Sequence, residues 1–151
     1  MKFTALDFET TGYKDGCTNE PWQLGLVVVE DGVITHEKEW FFKTRLTPEA
    51  NEFMQEWCSF YPYLDSTRLV AHNISTERTI LTRAAPLTKF GPWVDTLKLC
   101  KAIYPKLEGY SLSEVCTTFG LVPDMPGRTW HDALYDAVAC AKLAIFLSAW
   151  N

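Results

Sequence analysis

Apolar positions in the first third of the chain come in short runs. They cover residues 4–8, residues 23–30 with Val27-Val28-Val29 inside, and residues 33–42. Runs of this length, rich in β-branched and aromatic residues, read as strands. Asp31-Gly32 between the second and third run is a hairpin signal, and His36, Glu37 and Lys38 mark the wetter part of the returning strand. Residues 12–21 form a polar loop. Three consecutive antiparallel strands are therefore expected. The pattern then changes. Thr47-Pro48-Glu49 offers a capping hydroxyl, a first-turn proline and a dipole-favoured acid, which predicts a helix to about Trp57. Leu69-Val70-Ala71 is a strand too short to stand outside a sheet, and Ser75 or Thr76 caps a helix to about Ala84. A further short strand at 92–95 feeds a helix over 96–103, ahead of Pro105. Tyr110-Ser111-Leu112 opens a helix through Phe119 that Gly120 stops; after a loop at 123–127, the last helix starts near His131 and continues to Ala149. Strands followed by strand–helix alternation predict one α/β domain, residues 1–151, on a mixed sheet flanked by helices.

One feature breaks the first apolar run. Asp7 and Glu9 sit two residues apart on it, so an extended backbone points both to the same face. Neighbouring carboxylates repel, and burying them costs several kcal/mol unless a positive partner compensates. A hard divalent cation such as Mg²⁺ or Mn²⁺ is the usual partner for clustered acids. A solvated strand end would explain two acids alone equally well.

Composition narrows the class. The chain has 151 residues, 47% apolar and 22% charged, as in ordinary globular domains. No apolar run has the length of a membrane span, and the N-terminus does not resemble a signal peptide. Five cysteines, Cys17, Cys58, Cys100, Cys116 and Cys140, are odd in number and widely spaced with no CxxC, so they read as reduced thiols, mostly in the core, in a cytoplasmic setting. A net charge of −5 argues against a broad basic surface for gripping long nucleic acid. It leaves room for metal ions, rather than lysines, to meet phosphates.

Two distant stretches add chemistry. Ala71-His72-Asn73-Ile74-Ser75-Thr76-Glu77 lies where a strand turns into a helix, a usual place for ligand loops in α/β sheets. In His131-Asp132-Ala133-Leu134-Tyr135-Asp136-Ala137 the histidine and the second acid are five apart. That spacing brings them together only if His131 precedes the helix proper. Asp-Phe-Glu-Thr-Thr-Gly, His-Asn with an acid four residues on, and His-Asp-Ala-Leu-Tyr-Asp-Ala together resemble the three motifs of the DEDDh family of ribonuclease H-like 3′–5′ exonucleases. That family is typified by the proofreading epsilon subunit of bacterial DNA polymerase III. Weaker echoes fall in order: Gln23-Leu24-Gly25, Asp95-Thr96-Leu97, Tyr110-Ser111-Leu112 and Phe119-Gly120-Leu121. The family's second motif usually carries Asp; here Glu77, one methylene longer, stands in its place.

The resemblance implies a five-stranded sheet, three antiparallel strands and then two parallel, and two divalent ions, Mg²⁺ or Mn²⁺, on Asp7, Glu9, Glu77 and Asp136. It implies His131 as the base that takes a proton from the attacking water; an unperturbed imidazole near about pKa 6.5 suits that task. The expected reaction is hydrolysis at 3′ ends of single-stranded nucleic acid, DNA favoured, releasing 5′-mononucleotides. An RNA-trimming exoribonuclease is the same-class alternative, and a non-catalytic nucleic-acid-binding module on the same fold is a more distant one. The family also admits homodimers and association with a polymerase. Expected substrate contacts are the Thr10 and Thr11 backbone N–H groups, Gly12, Asn73, and the aromatic rings of Tyr13 and Trp130. Blander roles are expected for His72 (a structural hydrogen-bonder), His36 (a solvated strand residue), Asp132 (a helix cap) and Asp95 (a turn or helix start). Trp22, Trp40, Trp57, Trp93 and Trp150 read as packing, and Lys98, Lys101 and Lys106 as a wet helix face.

Overall fold

Short β-branched runs can bury themselves only by pairing, and they do so in a single five-stranded sheet. In this computed structural model, residues 1–13, 16 and 19–148 are described. The strands are β1 (Lys2–Thr10), β2 (Pro21–Glu30), β3 (Val33–Phe41), β4 (Leu69–Ala71) and β5 (Trp93–Asp95). They lie in the order β3-β2-β1-β4-β5. β1–β2 and β2–β3 are antiparallel, whereas β4 runs parallel to β1 and β5 parallel to β4. The mixed α/β sheet expected from the sequence is the one observed.

The helices are α1 (Phe53–Phe60), α2 (Ser75–Ala84), α3 (Thr96–Ile103), α4 (Leu112–Phe119) and α5 (Ala133–Phe146). The alternation of β1 divides the core. Phe3 and Ala5 face Leu134, Ala137, Val138 and Ala141 of α5. Leu6 and Phe8 face the other side, with Phe60, Ile80 and Leu81. Asp7 and Glu9 continue the Phe3–Ala5 row and so point toward the N-terminal end of α5. α5 is buried nearly all round, from Ala133 to Ala141, which matches its almost unbroken apolar composition.

Two expected boundaries shift. The helix expected from Thr47 begins instead at Phe53, because the Thr47 hydroxyl donates to the Phe42 carbonyl and Lys43 N–H pairs with the Asn51 carbonyl. Those bonds hold residues 43–51 against the sheet as turns. Glu52 then serves as N-cap, its N–H received by Gln55 Oε1 at 2.8 Å. The last helix starts at Ala133, not His131, and ends at Phe146; Ala149, Trp150 and Cys17 lie outside the described residues. Cys100, Cys116 and Cys140 are buried thiols, while Cys58 is exposed. No described helix is long and apolar enough to cross a membrane.

Candidate active site

Pairing of β1 with β4 stops at Ala5–Val70, so Asp7 and Glu9 project beyond the end of the parallel pair. That is the crevice at the carboxyl ends of parallel strands where α/β folds place ligands. A register shift between Glu9 and Thr10 ends the regular ladder immediately after the second acid. Glu77 enters from the first turn of α2 and is only 4% exposed. Its Oε1 receives the Phe8 N–H at 3.5 Å, which ties it to the strand between the two acids. Asp136 enters from the first turn of α5, also buried. Single ligand atoms of Glu9, His131 and Asp136 lie within 4.8 Å of one another.

The electrostatics are those of a site built for a cation. Burial, then the charges of Glu77, Glu9 and Asp136, push the Asp7 carboxyl well above its ordinary value. Burial, aided by Glu9, pushes Asp136 up to about 7. Glu77 rises to about 7, chiefly because burial outweighs its backbone hydrogen bonds. Among the described residues, Asp7 Oδ2 and Glu77 Oε2 are buried with no hydrogen-bond donor. An orphaned buried carboxylate oxygen is expensive. Two of them in one acidic cluster, with oxygen donors and an imidazole, suit hard divalent ions. The residues present therefore fit the expected Mg²⁺ or Mn²⁺.

His131 sits just outside α5 with φ +70°, a left-handed conformation rare for a side chain with a Cβ. Such a residue costs of order 1–3 kcal/mol unless its surroundings hold it. Its N–H is directed at both Asp136 oxygens, at 3.3 and 3.4 Å, and its side chain is exposed. Asp132 caps α5 through Leu134 and Tyr135 N–H, as its spacing suggested. Asp95 likewise receives the N–H groups of Asn73, Ile74 and Leu97. His72 is half-buried between Thr96 Oγ1 at 2.8 Å and the Tyr110 carbonyl at 2.7 Å, a structural position as expected.

The expected substrate contacts divide. Thr11 N–H is donated to the Glu20 carbonyl and Gly12 N–H to Asn19 Oδ1, so neither is free for a sugar. The loop closes on itself, which the sequence could not reveal. Trp130 is half-buried, packing edge-on against Tyr135 with centroids 5.0 Å apart and against the α4–α5 core. Tyr13 is 76% exposed three residues beyond the end of β1, and the Asn73 side chain is also exposed. Thr10 ends β1 opposite Pro21.

Other residues emerge only from the structure. Gly25 lies opposite Asp7, and a Cβ there would stand 2.2 Å from the Ala133 carbonyl group. Only glycine lets the start of α5 approach β2 this closely. Gln23 Oε1 receives the Ala133 N–H at 3.0 Å. A groove of about 680 Å³ opens near the loop, with Phe53, Met54 and Ile80 on its walls and Lys43 and Arg83 supplying positive charge. A glycine inside a strand was a visible signal of close approach; the groove had none.

Comparison with known proteins agrees with this geometry. A family model described as Exonuclease, of the ribonuclease T type, matches residues 60–144. The chain is 28% identical to the 3′–5′ exonuclease DinG of Bacillus subtilis over 88% of its own length, but spans 16% of that protein. It is 27% identical to the DNA polymerase III epsilon subunit of Aquifex aeolicus, covering 95% of this chain and 78% of that one. Exonuclease X, solved with 5′-overhanging duplex DNA, superposes with TM-score 0.77 at 23% identity over 99% of this chain and 92% of that one. The nuclease domain of 3′hExo, a DEDDh member bound to rAMP, superposes with TM-score 0.71 at 16% identity, covering 97% and 91%. With the family model spanning more than half the chain and the three motifs meeting at one crevice, the protein belongs to the exonuclease family.

Proposed function

We propose that this chain is a metal-dependent 3′–5′ exonuclease that hydrolyses single-stranded 3′ ends, DNA preferred, and releases 5′-mononucleotides. The observation that carries this reading is the convergence of four acids, two of them with a buried orphan oxygen, beside one exposed imidazole. Asp7, Glu9, Glu77 and Asp136 would hold two divalent ions, Mg²⁺ or Mn²⁺. When bound, the ions supply positive charge to the phosphate and favour ionisation of water. His131 then takes the proton of the attacking water at a ring nitrogen, an exchange with solvent that its exposure permits. The P–O3′ bond breaks, leaving a 3′-hydroxyl on the shortened strand and a 5′-phosphate on the released nucleotide.

The groove walled by Phe53, Met54 and Ile80, where Lys43 and Arg83 stand with the acids Glu20 and Glu52, suits the terminal nucleotides by offering apolar surface to bases and two cations to phosphates. Tyr13 stands exposed where a base can stack. The preference for DNA draws on the exodeoxyribonuclease-10 relative and on the DNA in the Exonuclease X structure. RNA trimming is the second reading, favoured by the rAMP held by 3′hExo. We read residues 1–151 as one catalytic domain; docking to a polymerase, suggested by the epsilon relative, belongs to the same proposal.

Degradation of end-labelled single- and double-stranded DNA and RNA, with and without Mn²⁺, tests the reading. Wild type shortening single-stranded DNA from the 3′ end only with metal, and Asp7→Ala failing to, supports it. Mn²⁺ titration by calorimetry gives an activity-independent check: wild type binds and Asp7→Asn does not. Metal binding without any hydrolysis would leave the binding-module reading in its place.

A further inference from the structure

His131 occupies a strained backbone conformation and projects into solvent, so something outside its own contacts must hold it over the acids. The candidate lies three residues earlier. Arg128 makes a forked pair with Glu39 of β3, Nη2 to Oε1 at 2.6 Å and Nη1 to Oε2 at 2.8 Å. The same Nη1 reaches Asp132 Oδ1 at 3.0 Å and Oδ2 at 3.3 Å. Glu39 Oε2 also receives Gln23 Nε2 at 3.2 Å, while Gln23 Oε1 receives the Ala133 N–H at 3.0 Å. Asp132 itself receives the next two amides of α5. The chain of contacts thus runs from the edge strand through the central sheet to the first turn of the helix that carries Asp136.

Arg128 touches Asp132 and Gln23 touches Ala133, the positions immediately after His131, and Glu39 joins the two by accepting from both. None belongs to the cluster of Glu9, His131 and Asp136. Arg128, Glu39 and Asp132 are each only 25–29% exposed, so the pairs are partly shielded from solvent and from salt. The fork is planar and two-pronged, which fixes orientation as well as distance, and a lysine cannot reproduce it. Arg128 also holds the Glu39 carboxyl below the usual carboxylate range.

We infer that Arg128, clamped between Glu39 and Asp132, is a positioning residue that sets His131 over the carboxylates, and so controls proton transfer but not metal or substrate binding. This rests on the nuclease reading of the site. The clamp acts across 89 residues of sequence, joining an edge strand to the loop before the last helix.

The test is a double-mutant cycle on the full chain with labelled single-stranded DNA and Mn²⁺. Arg128→Met should lower kcat by roughly 10–100-fold, the scale expected of a misplaced catalytic group, with KM and the Mn²⁺ affinity from calorimetry changed less than about twofold. Arg128→Lys should recover only part of kcat. Arg128→Met with His131→Ala together should be no slower than His131→Ala alone, because the clamp has nothing left to place. Additive losses, a rise in KM matching the fall in kcat, or full rescue by lysine would overturn the inference. Imidazole ¹⁵N spectra of His131 in the metal-free protein form a second arm, independent of turnover. Altered His131 signals in both Arg128→Met and Glu39→Gln, with His72 signals unchanged, support the clamp. Unaltered signals refute it. An inactive wild type with altered His131 signals would refute the nuclease reading while leaving the clamp as a structural finding.

Discussion

Two loops meet at this crevice, and they are built to different standards. The β4–α2 loop carries His72 and Asn73 and leads into the first turn of α2 with Glu77; the loop before α5 carries Arg128, His131 and Asp132. Each contains a non-glycine residue in the left-handed region, Asn73 at φ +66° and His131 at φ +70°. Each is tied to an aspartate that collects backbone N–H groups, Asp95 in one case and Asp132 in the other. The difference lies in what surrounds the tie. The first loop is locked by backbone bonds and a half-buried imidazole, and delivers an acid that is only 4% exposed. The second is held by half-exposed charged side chains and delivers an exposed histidine. In the proposed reaction Glu77 would be a metal ligand, which must not move, and His131 a proton carrier, which must reach solvent between turnovers. The two loops satisfy these opposite needs.

The comparison can be broken most severely at the acids. Asp7→Asn and Asp136→Asn should abolish metal-dependent hydrolysis, yet both should melt higher than wild type in EDTA, because each removes one charge from a mutually repelling buried cluster. Calorimetric melting beside a nuclease assay checks the pair of outcomes; a lower melting temperature for both would show that the carboxylates are already compensated without metal.

Next in size is the contrast between the two histidines. His131→Ala should lower kcat by about 10²–10⁴-fold, as expected for loss of a general base, with its melting temperature nearly unchanged. His72→Ala should instead cost stability, about 1–3 kcal/mol for leaving the Tyr110 carbonyl and Thr96 hydroxyl without their partner. Urea unfolding and steady-state rates on both variants separate the roles. If His72→Ala alone stopped the chemistry, the assignment would be reversed.

Gly25→Ala probes the second loop from the sheet side. Its Cβ would collide with the Ala133 backbone, so α5 must shift. A loss of about 1–3 kcal/mol in stability is expected from such overpacking, with a larger fractional loss in kcat than in metal affinity. Equal losses in both would place the strain at the acids instead of at His131.

The smallest expected effect is in pH. In the folded, metal-free protein burial and neighbouring acids raise Glu77 and Asp136 to about 7 and hold Asp7 well above its ordinary value, whereas in the unfolded chain such groups titrate at about 4. Between those values the native state binds more protons, so stability falls as pH rises. Going from about pH 8 to about pH 6 in EDTA should therefore raise the melting temperature. His72, pushed down by burial, opposes the trend only once the unfolded imidazole protonates, below about pH 6.5. Saturating Mn²⁺ should reverse the sign, since protons then compete with metal; a flat profile in EDTA would show that the buried acids do not repel one another.

Local chemistry made some of this legible in the chain alone. Strand alternation put Asp7 and Glu9 on one face, Gly120 ended α4 in a left-handed cap, and Asp132 and Asp95 capped the helices that follow them. These depend on neighbours within a few residues, which is the range over which sequence patterns act. A mixed α/β sheet also followed from strands succeeded by strand–helix alternation, whereas the strand order β3-β2-β1-β4-β5 came from the tertiary structure. What tertiary structure decided is everything spanning long separations or depending on a loop's closure. Thr47 capped nothing because its hydroxyl bonds the Phe42 carbonyl, Thr11 and Gly12 spent their N–H groups inside their own loop, and Trp130 set its ring edge-on against Tyr135. Glu39, Gln23, Gly25 and Arg128 acquire a role only when β2, β3 and the start of α5 lie against one another. A hydrogen bond across 89 residues leaves no periodic trace in the chain, since its partners are chosen by packing and not by spacing.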